Sequence, residues 1–180
     1  MKRLKFETIG SISAIVVGLA AVAVSWDQAR TTRRQQEAAV LPLLKIQTRF
    51  LTEADGRSFR IDIANIGTGP AFIEGAAIAW EGEPLTNFDE LGAATAALRG
   101  EEGSLWTAPL QGNLLGSGER YTLFEARWPP GDDAATATAD AMWQSLKVEA
   151  CYCSVYERCW RTGMNRFSRP EPARCESGEE

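Results

Sequence analysis

From Ile9 to Trp26 the chain runs through eighteen residues without a charge, and no other stretch limits its fold so strongly. Coiled as a helix at about 1.5 Å per residue, the run is roughly 27 Å long, close to the ~30 Å hydrocarbon core of a bilayer. This predicts a transmembrane helix over 9–26. Met1-Lys2-Arg3-Leu4-Lys5 precedes it and the polar run Asp27 to Glu37 follows it. A cleaved signal peptide is the alternative, with Ala21 and Ala23 as the small residues of a cleavage site. Signal cores, however, usually hold about 7–15 apolar residues and end in a turn-prone region. Here helix formers continue from Asp27 to Val40 with no Pro or Gly before Pro42. The expectation is an uncleaved anchor that continues into a helical stem over 27–41.

Charge does not orient this helix, because Lys2, Arg3 and Lys5 on one side face Arg30, Arg33, Arg34 and Lys45 on the other. Gly10, Ala14 and Gly18 recur every four residues, a small-residue stripe on which a second helix, including that of another copy of the chain, can pack. Gly and Ala are also simply common in spanning helices.

After Pro42 the period changes from helical to alternating. Leu44, Ile46, Thr48 and Phe50 share one face of a first strand, and Phe59, Ile61 and Ile63 one face of a second. Asn65-Ile66-Gly67-Thr68-Gly69-Pro70-Ala71 follows as a sharp turn, in which Gly67 and Gly69 permit positive φ and Pro70 forces an extended neighbour. A phosphate cradle is the functional alternative for Asn65, Gly67, Gly69 and Pro70, but no Lys-Ser/Thr and no helix start follow the glycines.

Further strands are expected over Phe72–Trp80, Tyr121–Trp128 and Leu146–Cys153, with a last one from Cys159. Short helices are expected over Leu91–Leu98, behind the capping box Asn87–Glu90, and from Ala134 to Leu146 behind Asp132 and Asp133. Six or seven strands with two short helical inserts make the domain over 42–167 a mainly β fold, a β-sandwich. Residues 168–180 form a polar tail, loose coil from Ser168 onward.

Composition narrows the chemistry. Histidine is absent, which removes His-based triads and imidazole metal sites. A net charge of −5 argues against nucleic acid, which needs a basic stripe. The acidic pairs Glu101-Glu102 and Asp132-Asp133 lie among Gly, Ser and Ala and read as turns or caps. No catalytic or cofactor motif is present, and the expectation is a protein that is not an enzyme, with no cofactor and no metal. Six tryptophans leave carbohydrate binding through Trp80, Trp106, Trp128 and Trp160 as an alternative, although aromatic residues in sandwich strands are more often core.

Cys151, Cys153, Cys159 and Cys175 all lie in the last thirty residues. With a hairpin tip near Val155-Tyr156-Glu157, Cys153 and Cys159 fall opposite one another, and Cys151 is left for Cys175. Four cysteines allow three pairings, and spacing alone selects none of them. A tetrathiolate zinc site lacks its usual Cys-x2-Cys knuckles, and thiolates two apart on one strand are about 7 Å apart. A thiol-disulfide redox protein is the other alternative, though Cys-x-Cys on a strand lacks the helix N-terminus that lowers a thiol pKa. Disulfides imply an oxidising space, which for a bacterium is the periplasm, with residues 1–8 left in the cytoplasm.

The order of features resembles a group of uncharacterised bacterial single-pass membrane proteins. It is carried by the spanning helix Ile9–Trp26, the stem Arg30–Pro42, the Asn65–Ala71 turn, Gly118-Glu119 before a middle strand, and Tyr152-Cys-Ser-Val-Tyr156 ending near Trp160. Ser117 stands where that pattern prefers Pro. The resemblance implies an immunoglobulin-like sandwich on the periplasmic side of the inner membrane and brings no activity with it. The expected role is a protein-interaction or scaffold module for an envelope partner.

Overall fold

The computed structural model describes residues 2–96, 103–164 and 170–175, with side chains from Ile9 onward. The chain divides into two compact units, Met1–Ala39 and Val40–Glu180.

The first unit is one helix, α1 (Lys2–Ala39), of 38 residues. Ile9, Val16, Leu19 and Val22 are all more than half exposed. The helix is long and apolar enough to cross a membrane. Near the end of the run the Arg30 guanidinium lies 5.4 Å from the centre of the Trp26 ring. The helix gives way to a turn at Val40, two residues before Pro42, as expected of a residue that cannot donate to the helical ladder.

The second unit is built of two antiparallel sheets around one core. The first sheet has the order β1 (Leu44–Glu53), β2 (Gly56–Asn65), β7 (Arg120–Trp128), β5 (Ser104–Thr107). The second runs β10 (Glu171–Pro172), β9 (Cys159–Gly163), β8 (Lys147–Cys153), β3 (Ala71–Trp80), β4 (Glu83–Leu85), and β6 (Leu114–Leu115) also pairs with β3. Ile46, Phe59, Ile61, Ile63 and Phe124 from the first sheet and Ile73, Ile78, Val148 and Tyr152 from the second share one buried cluster. Alternation explains this, since each strand sends every second side chain inward.

Two helices close the core. α2 (Phe88–Ala94) starts at Asn87, whose side chain accepts from the Glu90 amide at 2.9 Å, while Glu90 accepts from the Thr86 amide at 2.7 Å. It begins and ends earlier than the expected Leu91–Leu98. α3 (Asp133–Ser145) is capped by Asp132 through the Ala135 amide and buries Ala135, Ala139 and Met142 on one face. The Thr136 hydroxyl on α3 accepts from the Trp128 indole at 3.1 Å, which ties the helix to β7.

The strands and the tail also depart from the sequence reading. Among the described residues ten strands replace six or seven, because β4, β5, β6 and β10 are pieces of two to four residues with no alternation to mark them. β2 is buried on both faces rather than one, since as an inner strand it is covered outside by long side chains; Asp62 is 1% exposed beside Arg49 at 3.6 Å and Thr122 at 2.9 Å. The tail is not loose coil over 170–175: Glu171 and Pro172 pair with Arg161 and Trp160.

Candidate functional site

The strand β8 sends Val148, Ala150 and Tyr152 into the core and so turns Cys151 and Cys153 to the outer face of the second sheet. Burial pushes the Tyr152 phenol up, and its ring packs 5.9 Å from that of Trp160. Past Cys153 the chain reverses: the Ser154 amide donates to the Arg158 carbonyl at 2.8 Å and the Glu157 amide to the Ser154 carbonyl at 3.0 Å. Glu157 takes φ 58°, a left-handed conformation uncommon for a residue with a side chain. Because Ser154 and Arg158 are joined by a backbone hydrogen bond, the next pair, Cys153 opposite Cys159, is the close non-hydrogen-bonded kind, with Cα atoms 4.0 Å apart.

Four cysteines thus form two pairs at disulfide-bonding distance, Cys153–Cys159 and Cys151–Cys175, the second with Cα atoms 5.5 Å apart. This selects one of the three pairings left open by spacing. β10 on β9, and the Ala173 amide donating to the Cys159 carbonyl at 3.0 Å, bring Cys175 back over the sheet. The Cys153 and Cys175 sulfurs, which belong to different disulfides, lie 3.8 Å apart. Neither carries a proton, so this is a van der Waals contact. The Cys153, Cys159 and Cys175 sulfurs all lie within 4.8 Å of one another.

An apolar rim surrounds the sulfurs. Phe72 on β3 sits opposite Cys153 on one side and opposite Leu114 on the other. Residues directly opposed in a ladder share a face, so Phe72 and Leu114 point outward with the disulfide. Phe72, Val155, Cys153 and Cys159 line a shallow groove of about 400 Å³, and Glu74 and Glu157 are the charged groups along it. Phe72 is 39% exposed, Val155 49% and Leu114 55%. Sequence reading missed this groove. Its one visible signal was a large apolar residue, Phe72, at an outward position of an alternating strand.

The Asn65 turn is a separate place with a different logic. Asn65 is fully buried and uses both ends of its amide: Oδ1 accepts from the Leu43 and Gly67 amides at 3.3 and 3.0 Å, and Nδ2 donates to the Gly69 and Leu115 carbonyls at 2.7 and 3.0 Å. The Ser117 hydroxyl donates to the Gly67 carbonyl at 2.6 Å. Neither Gly67 nor Gly69 has positive φ, contrary to the expectation. What they supply is space. A Cβ on Gly67 would lie 2.8 Å from the Pro42 carbonyl carbon and closer still to Leu41 and Leu43 backbone atoms, and one on Gly69 would collide with the Val40 carbonyl. These amides are occupied by the protein itself, so the turn is a structural joint.

The remaining candidates are scattered. Gly10 and Gly18 lie on α1 with open space around each, each about one turn from Ala14. Asp132 is a helix cap, and Glu101-Glu102 lies outside the described residues. Trp128 is core, 2% exposed, Trp80 on β3 and Trp160 on β9 of the second sheet are partly buried against the core, and Trp106 on β5 of the first sheet is exposed. Of these four candidates only Trp106 is strongly exposed, and one ring does not make a platform.

On the outer face of the first sheet, Arg60 and Arg127 meet the Glu125 carboxylate at 2.7 and 2.6 Å. Burial pushes that carboxyl up, but hydrogen bonds and charge from the two guanidinium groups outweigh it and hold it below the usual carboxylate range. No protein-family model, curated protein or solved structure matches the chain.

Proposed function

We propose that the chain is a membrane-anchored immunoglobulin-like β-sandwich that docks an envelope protein partner in the periplasm and performs no catalysis. The observation that carries this reading is the groove beside Cys153–Cys159, where Phe72 and Val155 expose apolar surface on a disulfide-braced sheet, with exposed Leu114 next to Phe72 on the neighbouring strand. Exposed apolar residues gathered on a rigid face, with charged groups at the rim, are the usual make-up of a protein contact.

Strand order supports the immunoglobulin-like part. β1-β2-β7-β5 takes the A-B-E-D order of such folds, and β9-β8-β3-β4 takes G-F-C-C′, with β10 added beyond G. Two cysteine pairs downstream of a helix able to cross a membrane favour an oxidising space outside the cytoplasm, with residues 1–8 inside. Within the bilayer the Gly10, Ala14 and Gly18 stripe is where a second copy would pack.

The test is photo-crosslinking in intact cells, with the crosslinker at Leu114 and, as control, at exposed Asp140 on α3. A discrete protein adduct at Leu114, absent at Asp140 and lost in Phe72→Asp, is the expected result. Equal labelling at both positions, or an adduct indifferent to Phe72→Asp, would overturn the docking surface.

A further inference from the structure

We propose that the two disulfides form a thiol-exchange relay in which Cys153 leaves Cys159 and takes Cys175 from Cys151. The placement of the sulfurs carries this, independently of any docking partner. Cys153 and Cys175 are already in contact at 3.8 Å, close to the distance at which reacting atoms are held for attack, so the exchange needs side-chain rotation and no movement of strands. Cys151, two residues from Cys153 on the same strand, is about 7 Å away along the backbone and is out of direct reach. Cys153 therefore has a single neighbouring disulfide sulfur to attack, that of Cys175.

Accessibility sets the direction. Cys153 and Cys159 are both half-buried and border the open groove, whereas Cys151 is only 9% exposed, so entry is at Cys153–Cys159, and attack on its Cys159 sulfur is the one that frees Cys153. An external thiolate enters at Cys159: its sulfur bonds to Cys159, the Cys153–Cys159 bond breaks, and the electron pair leaves on Cys153. The Cys153 thiolate then attacks Cys175, forming Cys153–Cys175 while the Cys151–Cys175 bond breaks and Cys151 leaves as the thiolate. A second external thiolate attacks the external sulfur of the mixed disulfide, the bond to Cys159 breaks, the oxidised external disulfide is released and Cys159 leaves as the thiolate. Two external thiols are oxidised and one protein disulfide is reduced, so electrons and protons balance.

The outcome differs from simple reduction. Cys175 has exchanged one partner on β8 for another two residues away, so the tail stays covalently held. The loop Ser154–Arg158, which carries Val155 and Glu157 of the groove, loses its cross-link. Reducing equivalents entering at the surface thus unlock the hairpin tip and end on the enclosed Cys151.

The experiment uses the full chain in detergent and maps thiols by alkylation and mass spectrometry. In Cys159→Ser the freed Cys153 thiol should exchange without any added reductant. Alkylation then moves from Cys153 to Cys151, a Cys153–Cys175 peptide appears, and the rate is independent of protein concentration and rises with pH as the thiolate forms. Cys153→Ser, which leaves the thiol on Cys159, near Cys175 but without the direct contact that Cys153 makes, should exchange more slowly. In the wild-type chain, brief treatment with glutathione should leave Cys151 and Cys159 alkylated together. The relay is overturned if Cys159→Ser keeps its thiol on Cys153 while retaining the wild-type near-ultraviolet dichroism. Scrambling of Cys153→Ser to the same extent overturns it too. Should Cys159→Ser not fold, the wild-type arm decides, because alkylation of Cys153 with Cys159 beside an intact Cys151–Cys175 excludes the exchange.

Discussion

The two ends of the β-domain are fastened by different chemistry. At the N-terminal end, residues 41–43 are laid against the Asn65 turn by neutral hydrogen bonds: Ile66 to Leu43 at 2.8 Å, Thr68 to Leu41 at 3.0 Å, and the Asn65 side chain to Leu43. At the C-terminal end, the tail is held to β8 by a covalent bond. The first joint depends on space and on a side chain that satisfies four backbone groups at once, and it responds to neither redox state nor charge. The second tolerates imperfect packing but opens to a thiol. A domain built this way has one end that is constitutively fixed and another whose attachment depends on its surroundings.

The comparison is broken most directly at Asn65. Asn65→Ala leaves two partly buried amides and two buried carbonyls without this partner, and each unsatisfied group costs about 1–3 kcal/mol where water cannot replace the lost bond. With water reaching part of the site, the expected loss is about 4 kcal/mol in urea unfolding of the full chain. Gly69→Ala, which forces a Cβ into the Val40 carbonyl, should cost about 3 kcal/mol by overpacking. Both losses should be the same with and without reductant. An Asn65→Ala variant as stable as the wild type would show that the joint is incidental.

The C-terminal joint should rank second. Replacing Cys151 and Cys175 together by Ser opens a loop of sequence separation 24 and should cost about 3 kcal/mol; replacing Cys153 and Cys159, separation 6, should cost about 2 kcal/mol. Reductant should lower the wild-type unfolding midpoint and leave that of the fourfold Ser variant unmoved. Equal losses for the two pairs would mean that loop length does not govern this end.

The same contrast explains what was legible in the sequence. The Cys153–Cys159 pairing lies within one hairpin, so placing the tip near Val155–Glu157 was enough to oppose them. β1, β2, β7 and β8 announced themselves by alternation. Asn65 did not. Its partners lie 22 residues before it and 50 after it, and the crowding at Gly67 and Gly69 comes from Leu41–Leu43 and Val40. The turn can be recognised from its residues, but φ freedom is the only cause they suggest, because nothing local reveals a second segment against it. β5 was hidden for a related reason: Ser-Leu-Trp-Thr is too short to show a period and becomes a strand only by pairing with β7. The groove was hidden in turn because it needs Phe72 on β3 brought against Val155 and the Cys153–Cys159 pair, about eighty residues later in the chain.

A third fastening, the Arg60–Glu125–Arg127 cluster, sharpens the contrast because it alone of the three should respond to acid. The folded carboxyl of Glu125 is held below its unfolded value, so its contribution is complete above the unfolded pKa and is lost as pH falls through the folded one. Glu125 is only partly buried, and water screens the pair, so the effect should be less than about 1 kcal/mol. The test is the difference in stability between wild type and Glu125→Gln, followed from neutral pH into the acid range. The wild type should be the more stable at neutral pH, and the gap should shrink as the carboxyl protonates. Asn65→Ala and the double Cys→Ser variants should run parallel to the wild type over the same range, since neither joint contains a group that gains or loses a proton there. A Glu125→Gln difference that is flat with pH would remove the charge from the account and leave only the hydrogen bonds across β2 and β7.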